Sequence, residues 1–285
     1  MMNKLLITIF LVIGSLLFGF LFKEKPVEHD DLLGATASVA TLGTGSATTS
    51  GSTIVITTSA QLDAGNIGIV VTSHNSADNT NDSETNDVSS VTDSAGNTYT
   101  KLIGLNNNGS GVAGDPAVYG SVWFTKATST LASGGTITVT LAGDRLGRAA
   151  SAWEYTVDSG NTLQIASGGS VSQELNAADP ASLALSSLPS KEYLFFRHSG
   201  VNGRDGTFTG TTDYTKLSVA VANTGGGAAS RQTVSEFIIA TATGHTSNPS
   251  GVTVTGVEFL LALEEVAVGG GAVGPNLDDF IIIND

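Results

Sequence analysis

The chain has 285 residues and a formal net charge of -14, and it contains 35 glycines but no cysteine. The acidity argues against nucleic acid as a partner, because phosphate binding requires a basic stripe, and the lack of cysteine excludes disulfides and thiolate metal sites. Only 13% of the residues are charged, against about 25% in typical soluble domains, so short strands and tight turns are expected rather than long soluble helices.

A charge-free apolar run near the amino terminus spans Leu5–Phe22 and is followed by Lys23. As a helix it would be about 27 Å long, which is enough to span a hydrocarbon core. A cleavable signal has a shorter apolar stretch with small residues soon after it, whereas the nearest Ala-x-Ala is Ala35–Ala37. We therefore expect residues 1–30 to be an uncleaved membrane anchor, with a cleaved export signal as the alternative. Both predict a location outside the cytoplasm.

The remainder of the chain contains an internal repeat. Three pairs of segments match at one offset: Tyr99–Leu102 with Tyr214–Leu217 (both YTKL), Val118–Phe124 with Thr233–Ile239, and Thr138–Thr140 with Thr253–Thr255. Short strands separated by polar turns recur in the same order in each copy. This pattern predicts an all-β fold with two tandem antiparallel β-sandwich domains of immunoglobulin-like or jelly-roll type, residues 31–158 and 159–266.

Two local features can be placed within the first predicted domain. A first strand is expected at Thr36–Thr41, in a lead-in rich in glycine, serine and threonine. The segment Asp93–Asn97 (DSAGN) lies between two extended runs. It predicts a type I turn followed by a glycine with left-handed backbone conformation, as in a hairpin connection.

The loop that follows the first apolar strand of domain one is rich in carboxylates. It carries Asp78, Asp82, Glu84 and Asp87, to which Asp93 can be added. Calcium prefers about six to eight oxygen ligands on a flexible loop, so these residues are candidate Ca²⁺ ligands. Their spacing differs from that of an EF-hand, and the alternative is a solvated loop without an ion. No other cofactor is expected.

Four aromatic residues are candidates for stacking on sugar rings: Tyr119, Trp123, Trp153 and Tyr155. Alternation along Val118–Lys126 places Tyr119 and Trp123 on the face opposite the clearly apolar one. This pattern leaves both rings as candidates for the surface. The alternative is packing in the core or across strands, which is common for aromatic residues in sheets.

No sequence motif for catalysis is present. The chain lacks a nucleophile elbow, a phosphate-binding loop and a dinucleotide fingerprint, and its histidines lack zinc-site spacing. Carboxylates that could serve a glycosidase occur without a motif, at Glu154, Glu236, Glu258, Glu264 and Glu265. We therefore expect a protein that is not an enzyme.

Residues 267–285 form a Gly-rich linker and an apolar segment, Phe280, Ile281, Ile282 and Ile283. A short β-prone run on a tether is typical of an edge strand. Added to a neighbour's sheet it would assemble subunits into a homo-oligomer. Folded back, it would complete a sheet of its own domain, and both alternatives remain open.

The segments VTDSAGNTYTKL, VYGSVWFTKAT, GGTITVTLA and AWEYT resemble a β-sandwich unit of secreted bacterial surface proteins and phage virion proteins. The resemblance covers residues 52–157 well and 175–266 weakly, since the DSAGN turn is missing from the second copy. It implies display, adhesion or assembly and brings no catalytic residues. We expect a surface-displayed structural or adhesion protein that binds other subunits or surface glycans. The alternatives are a virion component and a secreted carbohydrate-binding or carbohydrate-active protein.

Overall fold

The structure is a computed structural model that describes residues 37–76, 87–107, 117–178, 180–202, 208–222, 230–251 and 254–268. These residues form sixteen strands in four antiparallel sheets, which confirms the predicted all-β sandwich architecture. Nowhere in these ranges is there a helix long and apolar enough to cross a membrane. The predicted anchor helix and Phe280–Ile283 lie outside the described residues.

The first half of the chain forms eight strands: β1 (Val39–Ala47), β2 (Gly51–Thr57), β3 (Ile67–Asn75), β4 (Val88–Asp93), β5 (Thr100–Asn107), β6 (Val118–Lys126), β7 (Thr136–Arg145) and β8 (Arg148–Tyr155). Five of them form a sheet in the order β1-β8-β3-β6-β5. The other three form a smaller sheet in the order β2-β7-β4.

The second half forms eight more strands: β9 (Asn161–Ala178), β10 (Leu183–Leu185), β11 (Lys191–Asn202), β12 (Thr215–Lys216), β13 (Ala220–Ala222), β14 (Arg231–Ala242), β15 (His245–Ser247) and β16 (Val254–Ala267). A six-stranded sheet has the order β12-β14-β11-β16-β9, with β13 also paired to β14. The pair β10-β15 forms the fourth sheet. The predicted domain boundary at residue 158 falls in the connection between β8 and β9.

The four sheets stack as layers, because neighbouring sheets share hydrophobic clusters. One cluster joins the three-stranded to the five-stranded sheet and includes Ile56 and Val70. The central cluster lies between the two larger sheets and is formed mainly by β3, β5, β8, β11 and β16, with Trp153 and Phe196 among its members. A third cluster joins the six-stranded sheet to β10-β15. Each half thus has its own sheets, and the central cluster joins the halves.

The two larger sheets are covered on both faces. Their strands accordingly have long runs of buried residues rather than alternation of buried and exposed ones. Ile67–His74 is buried at every position, and β8 is buried at every position except Glu154. Strands packed on both faces read as continuous runs rather than as alternating ones. Ser, Thr and Gly fill those positions where the sheets come closest: an ideal Cβ on Gly120 would lie 2.5 Å from Val257 Cγ2.

The strands of each half pair as a nested hairpin. In the first half β1 pairs with β8, β2 with β7 and β3 with β6, and β4 connects to β5 at the innermost turn. In the second half β9 pairs with β16, β10 with β15 and β11 with β14. The two larger sheets therefore have equivalent strand orders.

The repeated segments occupy equivalent strands in two cases and differ in the third. Both YTKL segments lead into edge strands, β5 beside β6 and β12 beside β14, and the second pair of segments lies in β6 and β14. However, Thr138–Thr140 lies in β7, whereas Thr255 lies in β16. By strand order the equivalent of β7 is β15, so these two segments are not in equivalent strands. Alternating threonine and valine suit any half-exposed strand, so this short match does not identify equivalent strands.

The innermost turn of the first half has the predicted geometry. Gly96 has a φ of 89°, and its N–H donates to the Asp93 carbonyl at 3.1 Å. The Asp93 carboxylate accepts hydrogen bonds from the backbone N–H groups of Ala95 and Asn97, each at 2.9 Å. The turn prediction is confirmed, and the Asp93 side chain serves the turn.

The first strand begins later than predicted, at Val39 instead of Thr36, and continues to Ala47. The extension crosses a glycine-rich stretch that resembles a linker in sequence. It is a strand because the glycines allow close backbone contact with β2: an ideal Cβ on Gly45 would lie 2.2 Å from the Val55 carbonyl oxygen.

Candidate functional site

The larger sheets of both halves end together at what we call the upper end. It is defined by the terminal residues of the strands that meet there: Asn75, Asn107, Val118, Asn202, Ala222 and Arg231. Four connecting segments leave from this end. Three of them, 77–86, 108–116 and 223–229, have both flanking strands at this end, and segment 203–207 follows β11, which ends here. These four segments lie outside the described residues.

Polar side chains bond the two halves to each other at the upper end. Arg231 Nη2 donates to the Ala117 carbonyl at 2.9 Å. The Asn107 amide donates to the carbonyls of Leu175 and Gly256, each at 2.8 Å. Buried backbone carbonyls need such partners, so these bonds fix the strand ends of one half against those of the other.

Arg148 fixes two turns at the upper end. Its Nε donates to the Thr53 carbonyl at 2.9 Å, and its Nη1 donates to the carbonyls of Arg145, at 2.6 Å, and Thr49. Burial lowers its pKa from the usual value, and Asp144 opposes this effect. Through these three bonds to backbone carbonyls, Arg148 stabilises the turns between β1 and β2 and between β7 and β8.

Among the predicted calcium ligands the structure describes Asp87 and Asp93, whereas Asp78, Asp82 and Glu84 lie outside the described residues. Asp87 is buried and accepts from Ser76 Oγ at 2.8 Å and from Arg145 Nη2 at 3.1 Å. Its charge is thus balanced by a guanidinium at the base of segment 77–86. In the part of the chain that the structure describes, no cluster of acidic and histidine side chains is suited to a metal ion.

His74 lies fully buried beneath this layer, in β3. Its ring centroid is 5.1 Å from that of Tyr119, and its Nδ1 bonds to the Asn75 carbonyl at 3.0 Å, while Nε2 has no partner among the described residues. Burial lowers its pKa to about 4, and the positive charges of Arg145 and Arg231 act in the same direction. His74 is therefore neutral at physiological pH.

Tyr119 and Trp123 do not lie at the surface, and the structure shows the alternative of packing in the core. Both are buried in the cluster beneath the three-stranded sheet, and Trp153 and Tyr155 are buried in the central cluster. The indole N–H groups donate to neighbouring hydroxyls, that of Trp153 to Ser218 Oγ at 3.0 Å. Alternation failed as a guide because this sheet is covered on both faces, so none of the four rings is placed to stack on a sugar.

A second polar cluster, the Arg197 cluster, is buried between the six-stranded sheet and the loops beside β10-β15. It consists of Arg197, Ser199, Glu236, Ser247 and Glu258, each at most 1% exposed. Arg197 Nη2 forms an ion pair with Glu258 Oε1, and Ser199 Oγ donates to the same oxygen at 3.1 Å. Burial raises the pKa of Glu258, and Arg197 opposes that shift.

Glu236 lies in the same cluster without a direct cation partner among the described residues. Its Oε1 accepts from Ser247 Oγ at 2.6 Å and from Thr211 Oγ1 at 2.5 Å, and its Oε2 accepts from the Thr211 N–H at 2.8 Å. These bonds tie β14 to the loop before β12 and to β15. Glu236 and Glu258 thus serve internal structure and do not face an open cleft.

Sequence reasoning missed Arg197, although a signal was present. EYLFFRHSGV contains one arginine inside an apolar run, and VEFLLAL contains one glutamate inside another. Opposite charges in two buried strands predict an ion pair, since an unpaired buried charge is very unfavourable.

No known protein family matches the chain, and no curated protein or solved structure is significantly similar to it.

Proposed function

We propose that this chain is a non-enzymatic structural or adhesive protein displayed outside the cytoplasm, and that its upper end contacts the partner, another protein subunit or a surface glycan. One observation carries the proposal. The strands of both halves end side by side there, and hydrogen bonds from Arg231 and Asn107 hold them together. A rigid base that presents several connections from one end is the usual arrangement of binding sites on β-sandwiches.

A non-catalytic role is supported by how three of the described acids and bases are used. Glu236, Glu258 and His198 are fully buried, and each is hydrogen-bonded to internal groups. A catalytic carboxylate or imidazole must instead reach a substrate.

The exposed surface also favours a polar contact. Among the described residues the large hydrophobic side chains that are exposed are Val55, Leu146 and Val268, which lie on separate elements. Scattered single residues of this kind do not form an apolar docking patch. Recognition would therefore depend on polar groups and on the connecting segments.

The nested pairing favours a jelly-roll over an immunoglobulin-like topology for each half. In a jelly roll a long hairpin is wrapped into two sheets, so its outer pairs are first with last and second with penultimate. That is the pairing of β1 with β8 and β2 with β7, and of β9 with β16 and β10 with β15. We therefore propose that residues 31–158 and 159–266 are two tandem jelly-roll units, which would follow the anchor expected at residues 1–30.

The same observation supports a second candidate function, a virion component. Jelly rolls are the common scaffold of viral capsid and lectin domains, and two units joined by a continuous core would form a stiff building block. A homo-oligomer or lattice of the purified protein would favour this candidate over adhesion to a cell surface.

To test the upper end as a binding surface, residues 78–86 are replaced by glycine and serine without a change in length. A control variant carries glycine at Ser129 and Thr130, at the opposite end of β6. Binding to a glycan array and to an immobilised second copy of the protein is then compared by titration. We expect the upper-end variant to bind at least about tenfold more weakly, which is about 1.4 kcal/mol, with its melting temperature unchanged.

The control variant is expected to bind like the wild type. Equal binding by the upper-end variant would contradict the role of this end. Failure of the wild type to bind either probe would contradict adhesion itself.

A further inference from the structure

Strand β14 has one edge that is only partly covered. Along its whole length it pairs with β11. On its other side, β13 covers Arg231–Thr233 and β12 covers Glu236–Phe237. No strand among the described residues pairs with Ile238–Ala242 on that side, and we call this stretch the open edge.

The backbone groups that face the open edge can be identified. The Leu217 N–H donates to the Ser235 carbonyl at 2.9 Å, so the backbone of Ser235 points away from β11. Backbone direction alternates with a period of two along a strand, and the register of β14 with β11 is uninterrupted. Ile239 and Thr241 therefore present their N–H and C=O groups to the open edge, where they form a template for another strand.

Both faces of the open edge carry half-buried apolar residues, although Thr241 is exposed. Ile239, like Phe237, packs against the central cluster, whereas Ile238, Ala240 and Ala242 pack against the cluster beneath β10-β15. A strand added here would extend two cores at once. It therefore needs apolar side chains at consecutive positions, since an alternating strand would bury a polar residue on one face.

We propose that Phe280–Ile283 of the same chain adds to the open edge as a strand antiparallel to β14. These four residues are apolar at consecutive positions, which is the pattern that an edge covered on both faces requires. Phe280 and Ile282 would extend one core, and Ile281 and Ile283 the other. The open edge ends where Thr215 pairs with Phe237, so it accommodates a short strand of this length.

The connection from β16 permits this placement. β16 and β14 both run towards the end at which Lys191 pairs with Ala242 and Ala267 pairs with Asn161. The added strand would be separated from β16 by β11 and β14, a distance of about 14 Å. Residues 269–279 can extend to about 36 Å, so the chain can turn back and run antiparallel to β14. The acidic Asp285 would then lie near Lys216, which is exposed.

The segment of the same chain is favoured over that of a second copy for a physical reason. A short tether holds its end at an effective concentration of order millimolar. A neighbouring chain at micromolar concentration cannot compete unless the tether is strained, and the reach of residues 269–279 exceeds the span. The inference does not depend on the role of the upper end.

The test is hydrogen exchange of the full chain in detergent, with light scattering at two protein concentrations. The variant Ile281→Asp/Ile283→Asp is compared with the wild type. The matched control Ala272→Asp/Val273→Asp adds the same charge within the linker. We expect the amides of Ile239 and Thr241 to be protected in the wild type and control, and to exchange at least about tenfold faster in the variant. At each concentration the three proteins are expected to have the same oligomeric state, and the protection of Ile239 and Thr241 is expected not to depend on concentration.

The amide of Leu261, in the middle of β16, reports whether the variant is still folded. If it also loses protection, the comparison is made with a chain that ends at Pro275, which adds no charge. Equal exchange of Ile239 and Thr241 in the wild type and the altered chain would overturn the proposal. Protection that appears only in a concentration-dependent oligomer would also overturn it, because the strand would then come from a second copy.

Discussion

Replacing Arg197 by methionine is expected to lower the free energy of unfolding by about 3–5 kcal/mol. The side chains of Arg197 and Glu258 are 1% and 0% exposed, so the substitution leaves a carboxylate buried without its cation. Ser199 and the Ala181 N–H would still donate to Glu258, but neutral donors do not replace a guanidinium. Loss of the guanidinium would raise the pKa of this carboxyl further, because burial already raises it and Arg197 opposes that shift.

Urea unfolding of the wild type, Arg197→Met and the double variant Arg197→Met/Glu258→Met measures this effect. The double variant is expected to recover most of the loss, because buried ion pairs are often replaceable by apolar residues. Lys191→Met provides the control: its partner is Glu264, but Lys191 is 25% exposed, so a loss of about 1 kcal/mol or less is expected. A loss below 1 kcal/mol for Arg197→Met would show that the pair is not desolvated as described.

Acidification is expected to destabilise the protein through His74 and His198. Burial lowers both pKa values from 6.5 to about 4, and the unfolded chain has the ordinary value. The unfolded state therefore binds more protons between these limits, so stability is complete above pH 6.5 and falls as the pH drops to 4. The loss is about 3 kcal/mol for each histidine. The raised pKa of Glu258 acts in the opposite direction and reduces the net slope.

The measurement is the free energy of unfolding by urea at pH 7, 5.5 and 4. His74→Gln/His198→Gln serves as the comparison, since glutamine does not titrate and can still hydrogen-bond to Thr72 and Ser235, the partners of His198. The variant should show a flatter dependence over this range. Parallel curves for the two proteins would mean that these histidines are accessible to protons in the folded state.

The positions of strands were predictable where the residues are apolar on both faces. Which side chains of such a strand would point to solvent was not predictable. The repeated segment Val118–Phe124 lies in β6, which spans Val118–Lys126. The outward placement of Trp123 failed because the alternation rule assumes that one face is solvated. The three-stranded sheet, whose strands are distant from Trp123 in sequence, covers that face. The same long-range packing explains β9, an 18-residue strand whose polar composition did not predict a strand.

The candidate site was less predictable than the fold. The upper end depends on pairings such as that of Asn107 with Gly256, which join residues far apart in the chain and leave no local pattern. Asp87 was predicted as a metal ligand from its neighbours in sequence, but its observed partner Arg145 comes from a strand that folds back beside it. Arg197 did leave a local signal, a lone charge in an apolar run.

Display outside the cytoplasm is tested most directly by labelling a single cysteine, since the chain has none of its own. Val55 is 50% exposed and Val70 is fully buried, so Val55→Cys is the probe and Val70→Cys the control. Bacterial cells that express the full chain are treated with a membrane-impermeant maleimide before and after permeabilisation. We predict equal labelling of Val55→Cys in intact and permeabilised cells, with Val70→Cys labelled only after denaturation. Labelling of Val55→Cys only after permeabilisation would contradict display at the surface.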